Sequence, residues 1–206
     1  MQRQARAEQS RRQVLDAALQ LFSTQGFRGT NVREIAKKAG VSIGNVYHHF
    51  EEKEAIFRTL LDEFWAATDS KRYPLTRVLT SGRFPEDLEQ LGAAARDSVR
   101  DFRQYVALIY VDVIEFDGTH IRKFYAEIAN RYTKRLQQEG VMDSIRSRLR
   151  PDVSPISAMM LAARIFINYF TIEFLFGVPE PFGKDSEEVI RDIAGILRRG
   201  MTSEVP

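Results

Sequence analysis

The sequence predicts an all-α protein, and three observations carry that prediction. Apolar residues recur at i, i+3 and i+4 along nearly the whole chain. Alternating strand patterns and hairpin dipeptides are scarce. Gly, Pro, Ser and Asn fall where such helices should start and stop. The first helix carries Val14, Ala18, Leu21 and Phe22 on one face and stops near Gly26. Thr30-Asn31 opens a short second helix; Asn31 and Glu34 have capping-box spacing, Val32, Ile35, Ala36 and Ala39 form the inner stripe, and Gly40 ends it. Ser42 caps a third helix running to Phe50. A fourth begins near Glu52 with Phe57, Leu60, Leu61 and Phe64 on one side. The stretch 73–85, with two prolines and a glycine, reads as the loosest segment. Further helices are expected at 85–101, 103–116, 119–139, 154–176 and 186–199, about nine in all. Ser154-Pro155 supplies a cap and an N1 proline for the penultimate helix, and Ser186 opens the last.

Composition removes several classes of function. With no cysteine there are no disulfides, thiol nucleophiles or cysteine-based zinc sites, and three histidines make a rich metal cluster improbable. The longest unbroken apolar run, residues 105–111, is far shorter than the ~18 residues a membrane span needs. The opening MQRQARAEQSRR has no apolar stretch resembling a signal peptide, so a soluble cytoplasmic protein with no membrane partner is expected. No phosphate loop, dinucleotide fingerprint or nucleophile elbow occurs, and neither an enzyme nor a cofactor is called for. Charge is unevenly spread: residues 1–60 hold 10 Lys or Arg against 6 Asp or Glu, whereas 61–206 hold 20 against 22. A basic start joined to a near-neutral body points to a polyanion at the N-terminal end.

Helices at 31–39 and 42–50 around the turn Gly40-Val41 have the form of a helix-turn-helix. At about 100° per residue, Val46 and Phe50 point inward while Gly44, Asn45 and His48 point away and Tyr47 takes the flank. No acidic residue lies between Val41 and Phe50, and the helix start is small and polar. A helix entering the major groove needs low bulk at its N-terminus, hydrogen-bonding groups for base edges and no carboxylate near phosphate. Ile43 lies close in angle to Phe50 and is compatible with a partly buried position as well as an outward one. His48 and His49 diverge by about 100° and do not make a metal pair.

The blocks Thr30-Asn31-Val32-Arg33-Glu34-Ile35-Ala36, Gly40-Val41-Ser42-Ile43-Gly44-Asn45-Val46-Tyr47-His48-His49-Phe50 and Lys53-Glu54 resemble the DNA-binding domain of the tetracycline-repressor (TetR) family, over residues 10–57. The resemblance implies a DNA-binding domain at 1–53 and an effector-binding and dimerisation domain at 54–206. By position it puts Thr30 and Lys53 on phosphates. Ser42, Tyr47 and His49 contact or position the backbone, and Ile43, Gly44, Asn45 and His48 lie nearest base edges. Family members often carry Lys or Arg where Ile43 stands; isoleucine packs on a thymine methyl instead, and Arg33 or an N-terminal arginine such as Arg6 would compensate. The implied partners are a double-stranded DNA operator of palindromic form, a second copy of the chain and a small hydrophobic effector. A ligand-independent or activating DNA-binding protein is the alternative.

In the body, residues 156–176 are apolar nearly all round, with Arg164 and Glu173 the only charges, as suits a helix buried on several sides. Ile165 and Ile172 on this helix and Val189, Ile193 and Leu197 on the last are the expected dimer-interface residues. Burial within one chain is the other reading. Trp65, Tyr105, Tyr110, Phe116, Phe166, Tyr169 and Phe170 are the expected effector contacts, aromatic with a few polar tips. Glu115, Asp117 and His120 place acid and imidazole groups together but span a Gly118 turn, and read as a solvated helix junction rather than a metal or acid-base site.

Overall fold

The computed structural model describes residues 2–203, and among these it contains eleven α-helices and no strand. The chain divides into two compact units.

The first unit takes in the residues up to Ala66 together with Gln104–Phe124. Its helices are α1 (Gln2–Gln25), α2 (Val32–Ala39), α3 (Ile43–His49), α4 (Lys53–Thr68) and α7 (Arg103–Glu115). Local sequence chemistry sets the joints. The Asn31 side chain accepts from Glu34 N at 2.9 Å while Glu34 accepts from Asn31 N at 3.0 Å, so the capping box satisfies two donors at the α2 start. Gly40 takes the left-handed conformation, φ 69°, that ends α2 and turns the chain into α3. Ser42 caps α3 by accepting from Asn45 N at 3.1 Å. Phe22 of α1, Ile35 of α2, Val46 of α3, Phe57, Leu60 and Leu61 of α4 and Leu108 of α7 share one buried cluster.

The second unit, Ala67–Arg103 and Tyr125 onward, contains α5 (Pro74–Leu79), α6 (Leu88–Asp101), most of α8 (Ile121–Gln138), α9 (Met142–Arg146), α10 (Pro155–Phe174) and α11 (Ser186–Met201). α6 packs against α5, α10 and α11. Small residues make that close packing possible: Gly92, Ala94 and Ala95 on α6 and Ala158, Ala162 and Ala163 on α10 are all buried. Tyr132 Oη lies 2.8 Å from Thr76 Oγ1, and its burial pushes the phenol pKa up to about 12. By length and composition α10 could cross a membrane, but half of its apolar window is buried inside the protein, as in the core helix of a globular domain.

Two local readings are corrected. Residues 74–79 of the supposedly loose segment form α5, started by Pro74 in the first turn. The five-residue α9 was not anticipated, being too short to show a periodic stripe. α11 starts at Ser186 as expected, and its cap is Asp185, whose carboxylate accepts from Glu188 N at 2.8 Å.

Gly92 provides a direct test of the packing in the second unit. A Cβ there would lie 2.8 Å from Phe166 Cε1 and 2.9 Å from Ile190 Cγ2. Alanine would gain up to about 1 kcal/mol in helix propensity, but overpacking a filled core costs about 1–3 kcal/mol. Gly92→Ala is therefore expected to lower the urea midpoint; a raised midpoint would show that this contact relaxes freely.

Candidate nucleic-acid interface

α2 and α3 present the sequence-predicted residues in two groups. Arg33, Ser42, Ile43, Gly44, Tyr47 and His48 are exposed. Ile43 is 39% exposed and Tyr47 54%, so neither is needed to close the small core that Val46 and Phe50 fill. Asn45 is half-buried, and its Oδ1 is buried without a hydrogen-bond partner within the protein.

The other predicted contacts are engaged inside the fold. Thr30 is only 1% exposed and its hydroxyl donates to Gly26 O at 2.8 Å. Lys53 Nζ donates to Phe27 O at 2.7 Å and to Thr30 O at 2.6 Å, and sits 4.1 Å from the centroid of the Phe27 ring. Burial lowers the Lys53 pKa, with Glu115 pulling the other way. His49 is half-buried, its Nε2 2.7 Å from Ser10 Oγ. On the next turn of contact, the Arg11 guanidinium lies 5.4 Å from the centroid of the Phe50 ring. α1 is thus tied to the end of α3 by one polar and one cation–π contact.

A shallow concavity opens beside the α2 start, lined by Arg28, Thr30, Asn31, Val32, Tyr47, Glu51, Glu52 and Lys53. Sequence marks Asn31 only as the α2 cap and does not mark Arg28, because their place in the concavity depends on how the 26–30 loop folds back. That loop is held by a residue far away in the chain. Glu115 Oε1 accepts from Phe27 N at 2.9 Å and Oε2 from Arg28 N at 2.6 Å. The expected solvated junction at 115–120 holds for the exposed Asp117 and is overturned for Glu115 and His120. Glu115 is largely buried, and the fully buried Asp112 takes His120 Nδ1 at 2.6 Å and Ile121 N at 2.9 Å. His120 Nε2 stands 3.5 Å from Glu54 Oε1. Phe116 stacks on Phe57 at 5.1 Å, with Phe27 4.7 Å away.

The residues expected around an effector fall in both units. In the first, Trp65 stacks on Phe124, Tyr105 on Phe64, Phe116 joins the aromatic cluster just described and Tyr110 is exposed. In the second, Phe166, Tyr169 and Phe170 are buried in the core. Of the expected dimer residues, Val189 and Ile193 are spent in that same core, with Ile165 and Leu197 packed on its margin and Ile172 half-buried. The exposed apolar residues of α10 and α11 are instead Leu161 and Ile196.

Five helices built around a helix-turn-helix, with a small polar face on α3, define a nucleic-acid-binding regulator by their form. The relationships of the chain agree. Residues 14–60 match the family described as bacterial regulatory proteins, tetR family. The transcriptional repressor KstR2 of Mycobacterium tuberculosis is 30% identical over 163 residues, covering 74% of this chain and 76% of the repressor. YerO of Bacillus subtilis, an uncharacterized HTH-type transcriptional regulator, is 24% identical over 183 residues and 88% of this chain, which spans 61% of YerO. The solved structure of NalD, the secondary repressor of the MexAB-OprM multidrug efflux pump in Pseudomonas aeruginosa, superposes with a TM-score of 0.64 at 21% identity, covering 96% of this chain and 98% of NalD. The chain belongs to the TetR family of transcriptional regulators.

The Ser10–His49 contact generates a pH prediction. Burial first, then the neighbouring His48 and Arg11, lowers the His49 pKa below its ordinary value of about 6.5. The unfolded chain therefore takes up this proton before the folded one does as pH falls. The contribution of His49 to stability is complete above about pH 6.5 and declines below it. Urea unfolding from about pH 7.5 to 5 should show a steeper loss for the natural protein than for His49→Gln. Equal slopes would exclude His49 as a source of the pH dependence.

Proposed function

We propose that the chain acts as a homodimeric, sequence-specific DNA-binding repressor, working in the cytoplasm and releasing its operator when a small apolar effector binds, with no enzymatic activity. The observation that carries the DNA half is the exposed face of α3: Ser42, Ile43, Gly44, Tyr47 and His48 lie outward with no acidic residue among them. In this reading residues 1–53 meet DNA and 54–206 provide dimer and effector surfaces. Gly44 and Ser42 keep the helix start thin and rich in backbone donors, Ile43 and His48 face base edges, and Tyr47, Asn31, Arg28 and Arg33 meet the phosphate strand. Asn45 would offer its amide donors, its oxygen being turned inward. Thr30, Lys53 and His49 act one step back, by holding the loop and the helix that carry these contacts.

For the dimer, the reading shifts from the stripe of Val189 and Ile193, which the chain already buries within itself, to the exposed Leu161 and Ile196 with the half-buried Ile165 beside them. Two copies so joined would present two α3 helices to a palindromic site. The effector half is supported by the aromatic character of Trp65, Tyr105, Tyr110, Phe166, Tyr169 and Phe170. Release requires that the effector prefer the form whose two heads fit the operator badly, since equal affinity shifts nothing. A second reading, DNA binding without an effector, is favoured by the complete burial of Phe166 and Phe170 in the core.

Selection of bound duplexes from a random-sequence library, followed by fluorescence anisotropy over a salt series, tests the DNA half. A palindromic consensus whose affinity falls steeply with salt is expected; equal, weak binding to selected and scrambled duplexes would defeat it. Ile43→Ala should weaken the selected duplex about tenfold and relax preference at one thymine in each half-site, in keeping with ~1–3 kcal/mol per lost base contact. A thermal-shift screen of apolar small molecules then separates the two readings: a compound that both stabilises the protein and dissociates the duplex supports effector release.

A further inference from the structure

We propose that Glu115, at the end of α7, is a positioning residue for DNA recognition, setting the pose of the α2–α3 pair through the backbone of the 26–30 loop. This rests on the reading of α2–α3 as the DNA-contacting element, and names a residue outside it on which that element depends.

Gly26 adopts φ +79°, and the two amides that follow it, Phe27 N and Arg28 N, converge on a single carboxylate at 2.9 and 2.6 Å. Successive amides after a left-handed residue form a concave nest suited to an anion, and here the chain supplies its own. Gly26 is needed twice over. The left-handed backbone favours glycine, and a Cβ at this position would lie 2.5 Å from Glu115 Oε1. The opposite side of the loop is held by the opposite charge: Lys53 Nζ takes Phe27 O and Thr30 O, while the Thr30 hydroxyl takes Gly26 O. Five backbone polar groups of a five-residue loop are thereby bound to side chains from α7, α4 and the loop itself.

Thr30 is followed directly by Asn31, the α2 cap, so the loop determines where α2 begins. α2 packs on α3, and Tyr47 of α3 lines the same concavity as Arg28 and Asn31. A carboxylate that neither faces the concavity nor adds favourable charge to it therefore fixes the relative placement of Arg28, Asn31 and Tyr47. Charge alone predicts the opposite effect of removing it. Neutralising an acid in a protein that binds a polyanion should strengthen binding, whereas losing the loop's anchor should weaken it. The sign of the change thus identifies the role.

The test uses full-length protein, a duplex enriched by the natural protein from a random-sequence library, and a scrambled duplex of the same length. Glu115→Gln keeps the shape and one acceptor oxygen but sets an amide NH2 against one of the two N–H donors and removes the charge. It should weaken the enriched duplex about tenfold or more, leave low-salt binding to the scrambled duplex unchanged, and speed amide hydrogen exchange at Phe27 and Arg28. Should that variant not fold, Glu115→Asp, which keeps the charge and shortens the reach, should shift the same readouts in the same direction by less. Unchanged or tighter binding of the enriched duplex overturns the proposal, as does an equal loss on both duplexes. If the natural protein enriches no duplex, the DNA-binding reading itself fails and the proposal falls with it.

Discussion

The first unit depends on one constraint: the two short helices α2 and α3 cannot bury a sufficient core between themselves. α2 has eight residues and α3 seven, well below the length at which a helix is stable alone. Ile35, Ala36, Val46 and Phe50 are the whole of their buried contribution to the shared core. The deficit is made up by α1, by Ile56, Phe57, Leu60 and Leu61 of α4, and by Leu108 of α7, brought in from forty residues beyond the end of α4. A helix-turn-helix that looks self-contained in sequence is therefore completed by a distant segment. The polar contacts follow the same route, since the helix that supplies Leu108 also supplies Asp112 and Glu115.

The sequence made the local parts of this legible. The Asn31–Glu34 capping box, Gly40, the Ser42 cap and the inward pair Val46 and Phe50 are encoded within four residues of where they act, so spacing alone exposes them. The surroundings of Thr30, Lys53 and Glu115 are not legible in sequence for a shared reason: each is polar, and the partner that holds it is set by the fold. Thr30 and Lys53 carry the right chemistry for phosphate and spend it on loop carbonyls. Glu115 looked solvated because no nearby residue explains a buried carboxylate; its partners are 87 and 88 positions away. In the second unit the apolar stripe of α11 was visible, but periodicity does not say whether a stripe faces its own chain or a second copy, and Val189 and Ile193 turn out to face their own.

The two units solve the packing problem differently. The first uses aromatics in contact, Phe22, Phe27, Phe57 and Phe116, around which polar groups are individually satisfied. The second brings helices close by using alanine and glycine along α6 and α10, with Phe166 and Phe170 filling the remaining space. Large rings tolerate a crowded polar boundary because their edges and faces accept varied neighbours. Small side chains leave less slack, and the near-contact of Gly92 with Phe166 and Ile190 shows how little is left.

The seven-residue α3 separates two kinds of position with unusual economy. Val46 alone is buried within it, while Ile43, Gly44, Tyr47 and His48 make up most of the remainder and lie exposed. A helix held in place by one buried side chain, its caps and the His49–Ser10 contact leaves its exposed residues under little structural constraint. Those positions are free to drift over evolutionary time, so descendants of this chain can change the exposed surface of α3 while inheriting the same scaffold, with no loss in how well the protein folds.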